Sequence, residues 1–482
     1  MATHPSVRNL QGAVRLPLEE TMHDTDFPAL LGATARLGAA YREALARRPV
    51  GATRSGADLR RALGAPLDDD GQPAESIIAQ LAEAAMDGTT ASAGPRYFGF
   101  VIGGSLPAAL AADWLVSAWD QNAAVHVLSP MAAVIEDITA TWLREITGLP
   151  ATTSVGFVTG CQMANFTGLA AARHRVLRDA GWDVEADGLA GAPDIEVLVS
   201  DEAHYTIFMA LRLLGLGSKN VRRIPTDDQG RMRAAELAAA IGSGGGPCIV
   251  CAQAGNVNTG AIDPIDDIAA LARRRGAWLH VDGAFGLWAA ASPAMASRLR
   301  GIEQADSVAT DAHKWLNVPY DCGIVFCGDE GAHRAAMSMS APYIQASARE
   351  RDPHEFVPEE SRRARAVTVY AALRSLGRRG LAALIERNCR QARRLADGMR
   401  AAGHEVLNEV GLNQVLVAFG TAERTWQVIG AIQQDGTCWC GGTTWHGRAA
   451  MRISVSNWST TDEDIERCLA AMLRAAAARP AA

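Results

Sequence analysis

No stretch of this chain approaches the roughly 18 uninterrupted apolar residues that a membrane-crossing helix needs, so nothing in it is expected to span a bilayer. Its first residues, Met-Ala-Thr-His-Pro-Ser-Val-Arg, lack the apolar core of a secretory signal. The nine cysteines are an odd number without Cys-x-x-Cys pairing. Cys438 and Cys440, on either side of Trp439, are too close for a usual zinc knuckle and short of further ligands. No disulfide framework and no metal site is expected, and reduced thiols of a soluble, cytoplasmic protein are the simple account. A basic excess is missing too. The formal net charge of -7 gives no electrostatic case for nucleic acid or an anionic membrane as partner. The local arginine clusters at 271–275, 362–365 and 387–394 read as solvated helix faces. There is no internal repeat.

What remains is ordinary globular composition: 482 residues, 48% hydrophobic and 21% charged, enough for a large domain with one or two smaller ones. Apolar residues at helical spacing over 27–48 and 76–86, ahead of any strand pattern, predict an N-terminal helical segment over 1–94. A glycine- and aromatic-rich loop follows, Pro95-Arg-Tyr-Phe-Gly-Phe-Val-Ile-Gly-Gly-Ser-Leu-Pro107. Its Phe98, Phe100 and Ile102 are candidate pocket-lining residues. Helices are expected over 107–119 and 131–146. From 155 to 327 short strand-like runs alternate with helical segments: 155–158, 195–200, 221–224, 248–252, 277–281, 307–310 and 323–327, the run Val221-Arg-Arg-Ile224 being the weaker one. Strands and helices in that order imply βαβ units and a mainly parallel seven-stranded sheet buried on both faces. The large domain is expected to cover 95–365. A long helical stretch from 366, strands at 414–419 and 450–455 and helices at 425–434 and 462–477 predict a small C-terminal α/β domain over 366–482.

In open parallel sheets, ligands bind beyond the carboxyl ends of the strands. Unusual polar residues fall there: the turn Thr159-Gly-Cys-Gln opening a helix, His204, Asn256 to Thr259, Asp282, and His313 with Lys314. A lysine at the end of a buried strand can lose its proton and attack a carbonyl as an amine. A carboxylate such as Asp282 can face a pyridine nitrogen and keep the ring cationic. A helix N-terminus offers free N–H groups to a phosphate. Pyridoxal 5'-phosphate (PLP) asks for all three.

The chain resembles the group II PLP-dependent amino-acid decarboxylases of fold type I, the aromatic-amino-acid and glutamate decarboxylase family, from about 97 onward. The motifs that carry the resemblance are His280-Val-Asp-Gly-Ala284, Asp311-Ala-His-Lys-Trp315 and Asp201-Glu-Ala-His204. Ser338-Met-Ser-Ala-Pro-Tyr343, Ser129-Pro130 with Glu136, and Met451-Arg-Ile-Ser454 support it. The resemblance implies that Lys314 holds the PLP aldehyde, Asp282 pairs with the pyridine nitrogen, His204 stacks on the ring and Ala284 lies against its other face. It places Gly160, Cys161, Gln162 and Asp311 at the phosphate cradle, Thr259 near the cofactor, and His313 at the phosphate or in proton transfer. It also implies a homodimer with active sites at the subunit interface. Two departures stand out. Cys161 and Gln162 replace small or hydroxylated cradle residues. The region 345–361 lacks the loop tyrosine that protonates the product in animal and plant aromatic decarboxylases, leaving His354 as a candidate donor. The expected reaction is decarboxylation of an L-amino acid, apolar or aromatic favoured. Transamination, decarboxylation-coupled oxidative deamination, aldol-type cleavage on the same cofactor, and a non-catalytic PLP-binding homologue remain open at this point.

Overall fold

The computed structural model describes residues 26–67, 69–219, 221–242, 245–339 and 350–478. The chain divides into two compact units, Met1–Ala91 and Ser92–Ala482.

In the first unit, α1 (Phe27–Ala44) starts at Asp26, whose carboxylate accepts the Ala29 N–H. Ser55 and Asp58 form a reciprocal cap at the start of α2 (Gly56–Leu63), and α3 (Ala74–Gly88) follows. Sequence periodicity missed α2, because eight residues are too short to display a helical period. Among these helices only Ala84 is buried, so within this chain the three have almost no core of their own.

The second unit opens with α4 (Pro107–Trp119) and α5 (Pro130–Thr147), each with proline in its first turn, where the missing N–H costs nothing. Then come β1 (Ser154–Val158), α6 (Cys161–Asp179), β2 (Glu196–Ser200), α7 (Tyr205–Leu213), β3 (Val221–Ile224), α8 (Ala234–Ile241), β4 (Cys248–Gln253), α9 (Ile265–Arg275), β5 (Trp278–Asp282), β6 (Ser307–Asp311) and β7 (Gly323–Cys327). All seven predicted strands are present, in the order β1-β7-β6-β5-β4-β2-β3. The run from β6 to β3 is parallel, while β7 is antiparallel to both β6 and β1. Two antiparallel pairings in succession return β1 to the direction of β6. The carboxyl end of β1 therefore joins the same sheet edge as those of β2, β4, β5 and β6. In register, Val158 and Asp311 both face Gly323. A side chain on Gly323 would collide with the Gly160 backbone, so a glycine there lets the start of α6 settle beside Asp311.

After α10 (Glu330–Met337) and the described residues from Glu350 onward comes α11 (Ala366–Ala401). Gly377, at φ 60° and ψ 178°, breaks its helical path. A small antiparallel sheet follows, ordered β10-β11-β9-β8, from β8 (Glu405–Val406), β9 (Gln414–Ala418), β10 (Gly441–Trp445) and β11 (Arg448–Ser454). Two helices accompany it, α12 (Ala422–Asp435) and α13 (Asp462–Ala477). Two cores result. Val369, Leu373, Leu381, Ile385 and Cys389 of α11 join the large one, whereas Leu395, Ala396 and Met399 join the small one. The long helix is shared between them rather than belonging to the C-terminal part alone. Among the described residues no helix is long and apolar enough to cross a membrane.

Candidate active site

β6 ends at Asp311, and the chain turns so that Lys314 reaches back: its Nζ lies 2.8 Å from Asp311 Oδ2. The other oxygen, Oδ1, accepts the Cys161 N–H at 2.6 Å. Asp311 is buried, and the Lys314 side chain keeps 22% exposure. Burial pulls the lysine pKa down, but the adjacent Asp311 carboxylate outweighs it and holds the ammonium above its usual value. Lys314 in this chain is a paired ammonium that must give up its proton before it can act as a nucleophile.

Asp282, at the end of β5, accepts from Asn165 Nδ2 on Oδ2 at 3.2 Å and from the Ala284 N–H on Oδ1 at 3.1 Å. The Cys161 thiol donates to Oδ1 at 3.5 Å. Burial, with Asp282 and Asp311 beside it, pushes the Cys161 pKa far up, so it stays a thiol. Lys314, Asp311, Cys161 and Asp282 are thus linked in one hydrogen-bonded chain across the β1, β5 and β6 ends. All four are candidates named from the sequence, and the structure brings them together. The sequence reading did not assign Asn165, which belongs to the same helix and needs the fold to bring it over Asp282.

His204 stands at the N-terminus of α7, half-buried, with Nδ1 2.8 Å from Thr206 Oγ1 and its ring 4.5 Å from that of Tyr205. Burial lowers its pKa, opposed by Asp282 and assisted by Lys314 and Arg452. It is therefore a neutral flat ring in the electrostatic company of the site. His313 lies behind Lys314, 3.4 Å from Asp311 Oδ1, with the Tyr320 ring stacked on it at 4.3 Å. Burial depresses its pKa despite Asp311. Ala284 packs against the Val158, Cys161, Ala164, Ala309, Val325 and Val357 cluster.

The cradle differs from expectation in one respect. The Cys161 N–H is taken by Asp311, so the N–H groups of Gln162 and Met163, for which no acceptor is recorded among the described residues, are left for an anion. The Gln162 side chain itself is exposed. A Cβ on Gly160 would sit at ordinary contact distance, 3.4 Å from His313 Cε1 and 3.5 Å from Asp311 Oδ1, on the side of the cradle. The donor set fits PLP: an amine, a carboxylate facing donors, a neutral imidazole and free amides at a 19-residue helix start.

Other candidates are placed differently. Thr259 is buried and its hydroxyl donates to Gln229 O at 2.7 Å, so it holds a turn instead of presenting a free donor. Phe98 is no pocket wall: at 1% exposure it packs in the small core, because β-type pairing with Trp439 and Ser454 draws it inward. Phe100 is 61% exposed, with Trp439 stacked 5.9 Å from it, and Ile102 is half-buried. His354 is 5% exposed, with Nδ1 3.2 Å from Glu360 and its N–H on Ala124 O. None of its recorded hydrogen bonds reaches Lys314, Asp282 or His204. Residues 340–343 of the Ser338-to-Tyr343 motif and 345–349 of the loop lie outside the described residues.

Two further residues were given no role by the sequence reading, although Arg452 lies within its Met451-to-Ser454 motif. Arg452 of β11 is half-buried, makes a long 3.4 Å bond to Val257 O among the described residues, and acts electrostatically on His204. Asn317, at φ 59°, locks the lysine turn. Its Oδ1 accepts from the N–H groups of Gly104 and Trp458, and its Nδ2 donates to Trp315 O and Ser456 O. Gly103 lies so close to Lys314 O that any side chain there would clash. Replacing Asn317 by alanine is expected to cost about 3 kcal/mol, since four buried partners lose their bonds at once. A urea-unfolding midpoint unchanged from wild type would contradict this.

Comparison with known proteins shows the family to which the chain belongs. Residues 57–421 match the family model described as pyridoxal-dependent decarboxylase conserved domain. An aromatic-L-amino-acid decarboxylase of Bacillus atrophaeus is 30% identical over 341 residues, 69% of each chain. An L-2,4-diaminobutyrate decarboxylase of Rhizobium meliloti is 30% identical over 425 residues, covering 84% of this chain and 83% of its own. Among solved structures, Oryza sativa TDC with PLP and tryptamine superposes with a TM-score of 0.87 at 24% identity, over 94% of this chain and 97% of its own. With a matching domain over most of its length and a lysine, carboxylate and helix start meeting at one sheet edge, the chain belongs to the pyridoxal-dependent amino-acid decarboxylases, carboxy-lyases that work with PLP.

Proposed function

We propose that this protein decarboxylates an apolar or aromatic L-amino acid to the amine and CO2. The carrying observation is the hydrogen-bonded chain Lys314–Asp311–Cys161–Asp282 at the strand ends. Lys314 would hold the cofactor's aldehyde, Asp282 would face its ring nitrogen, and the Gln162 and Met163 amides its phosphate. His204 would cover one ring face and Ala284 the other. Bound there, PLP supplies the electron sink that accepts the pair left when the carboxylate departs. Arg452, a half-buried cation near His204, is suited to orient that carboxylate before it leaves. The stacked aromatics Tyr97, Trp439 and Phe100 support an apolar or aromatic side chain over an acidic one. A panel of the twenty amino acids scored for CO2 release tests the preference. Aromatic and large apolar substrates should lead by at least about tenfold, and release confined to aspartate, glutamate or a diamino acid would refute the assignment.

A homodimer is part of the proposal. Trp114, Leu115 and Trp119 of α4 and Leu128, Met131, Val134 and Ile138 at α5 are all exposed in the single chain. Seven exposed large apolar side chains on two neighbouring segments are unusual on a monomer. The double variant Leu115→Asp, Leu128→Asp should sediment as a monomer with activity reduced about a hundredfold or more, and a dimer of full activity would contradict it.

A second reading follows from one observation: residues 350–361 carry no tyrosine, and His354 is tied to Glu360. If no side chain returns a proton, oxygen can take the electrons instead. One amino acid, one O2 and one H2O then yield aldehyde, CO2, NH3 and H2O2. Amine, aldehyde and peroxide measured from one substrate separate the two; peroxide equal to aldehyde, with no amine, would overturn simple decarboxylation.

A further inference from the structure

β5 carries Trp278, His280 and Asp282 at alternate positions, so all three point to one face of the sheet. That face is covered by α6, which sets Asn165 and Gly168 over them. From Asp282 a single file of hydrogen bonds runs back along the strand. Asn165 Nδ2 lies 3.2 Å from Asp282 Oδ2, and Asn165 Oδ1 lies 3.0 Å from His280 Nε2. His280 Nδ1 is 2.8 Å from Ser307 Oγ, which is also 2.8 Å from Trp278 Nε1. Asn165, His280 and Ser307 are fully buried.

Hydrogen-bond logic gives this file one direction. The Asp282 carboxylate can only accept, so the Asn165 amide turns Nδ2 toward it and Asn165 Oδ1 accepts from His280 Nε2–H; His280 Nδ1 then accepts from the Ser307 hydroxyl, whose oxygen accepts from the Trp278 indole N–H. Burial takes the His280 pKa down to about 4, against the pull of Asp282, so the ring is neutral, and its one N–H is the Nε2–H that faces Asn165 Oδ1. That hydrogen goes to Asn165 Oδ1, which fixes the amide so that Nδ2 faces Asp282. Every dipole in the file therefore points its positive end at the Asp282 carboxylate. Gly168 makes room for it: a Cβ there would come within 3.1 Å of His280 Nδ1 and 3.2 Å of Ser307 Oγ. A core that needed only filling has no use for buried polar side chains, each of which costs free energy unless its bonds are complete.

We infer that Asn165, oriented by His280, Ser307 and Trp278, is a positioning residue for the cofactor's ring nitrogen, acting by holding the Asp282 carboxylate in place and stabilising its charge. The inference rests on the assignment of Asp282 to that nitrogen under the proposed function. It leaves substrate contacts untouched and concerns only how firmly the nitrogen keeps its proton.

The test uses holoenzyme reconstituted with PLP labelled with 15N in the ring, the nitrogen shift being read by NMR at neutral pH and PLP affinity by titration. Asp282→Ala is the reference and should move the shift toward that of an unprotonated pyridine. Asn165→Ala and His280→Phe should move it part of the same way and weaken PLP binding about tenfold, the loss of one hydrogen bond to a charged group. His280→Gln, which can still accept from Ser307 and donate to Asn165, should restore both readouts. Ser307→Ala removes one hydroxyl with little change of volume, and should give a smaller shift in the same direction. Wild-type shifts and affinities in Asn165→Ala, His280→Phe or Ser307→Ala would overturn the relay, as would His280→Gln behaving like His280→Phe. If Asp282→Ala itself leaves the shift unmoved, the assignment of Asp282 falls instead, and the two failures are distinguishable.

Discussion

Lys314→Ala protein should turn over substrate at least roughly a thousandfold more slowly than wild type and lose the visible absorbance of the covalently held cofactor. Under the proposed function the side chain supplies the amine that the chemistry needs, and its position follows from the end of β6 and the turn locked by Asn317. The change also leaves Asp311 buried without its 2.8 Å partner, which should lower stability by about 3 kcal/mol or more. Lys314→Arg separates the two effects, because it keeps a cation for Asp311 while offering no nucleophile. It should be nearly as stable as wild type and as inactive as the alanine variant. The sign of the pH dependence follows from the raised lysine pKa. The stabilisation from the pair is fully present below the unfolded lysine value of about 10.4 and is lost only as pH rises through the higher folded value. Measured turnover by either variant at wild-type rate would refute the role of Lys314.

Asp282→Ala should behave differently. Lys314 is intact, so cofactor should still be held covalently and the protein should remain coloured. Turnover should fall roughly a hundred- to a thousandfold, the scale on which removing a preorganised charge from a reacting site is felt. Asp282→Asn is the closer isostere and should be impaired nearly as much, since an amide keeps the shape but not the negative charge. A kcat within a few-fold of wild type for either variant would show that Asp282 does not serve the ring nitrogen.

Much of this was legible along the chain. Six of the seven runs became strands because a parallel sheet is buried on both faces, while the edge strand β3, Val221–Ile224, leaves its two arginines exposed. Lys314, Asp282, His204 and the turn at Gly160 could be singled out because strand ends are local in sequence, and strand direction puts them on one edge. Lysine is otherwise represented only by Lys219, a scarcity that singles out Lys314 still further. What local pattern could not supply was partnership. Asn165 sits in the second turn of an alanine-rich helix and looks like any polar helix residue until α6 lies across β5. Asn317 resembles a turn residue, yet it joins segments more than a hundred positions away in both directions.

Misreadings had the same origin. Phe98 and Phe100 are two residues apart in an aromatic loop, and nothing in the sequence says that one enters the small core while the other faces out. Cys161 stands at the expected cradle turn, but the register that sets Val158 and Asp311 on either side of Gly323 gives its N–H to a carboxylate, which the sequence does not show. The sequence by itself determined the strands and the cofactor chemistry and marked out the candidate lysine, because hydrophobic period and strand-end chemistry are written within a few consecutive residues. Only the tertiary structure decided which groups hold Asp282 and Lys314 in place and which aromatics stay exposed, because those depend on side chains brought together from distant segments by sheet order and helix packing.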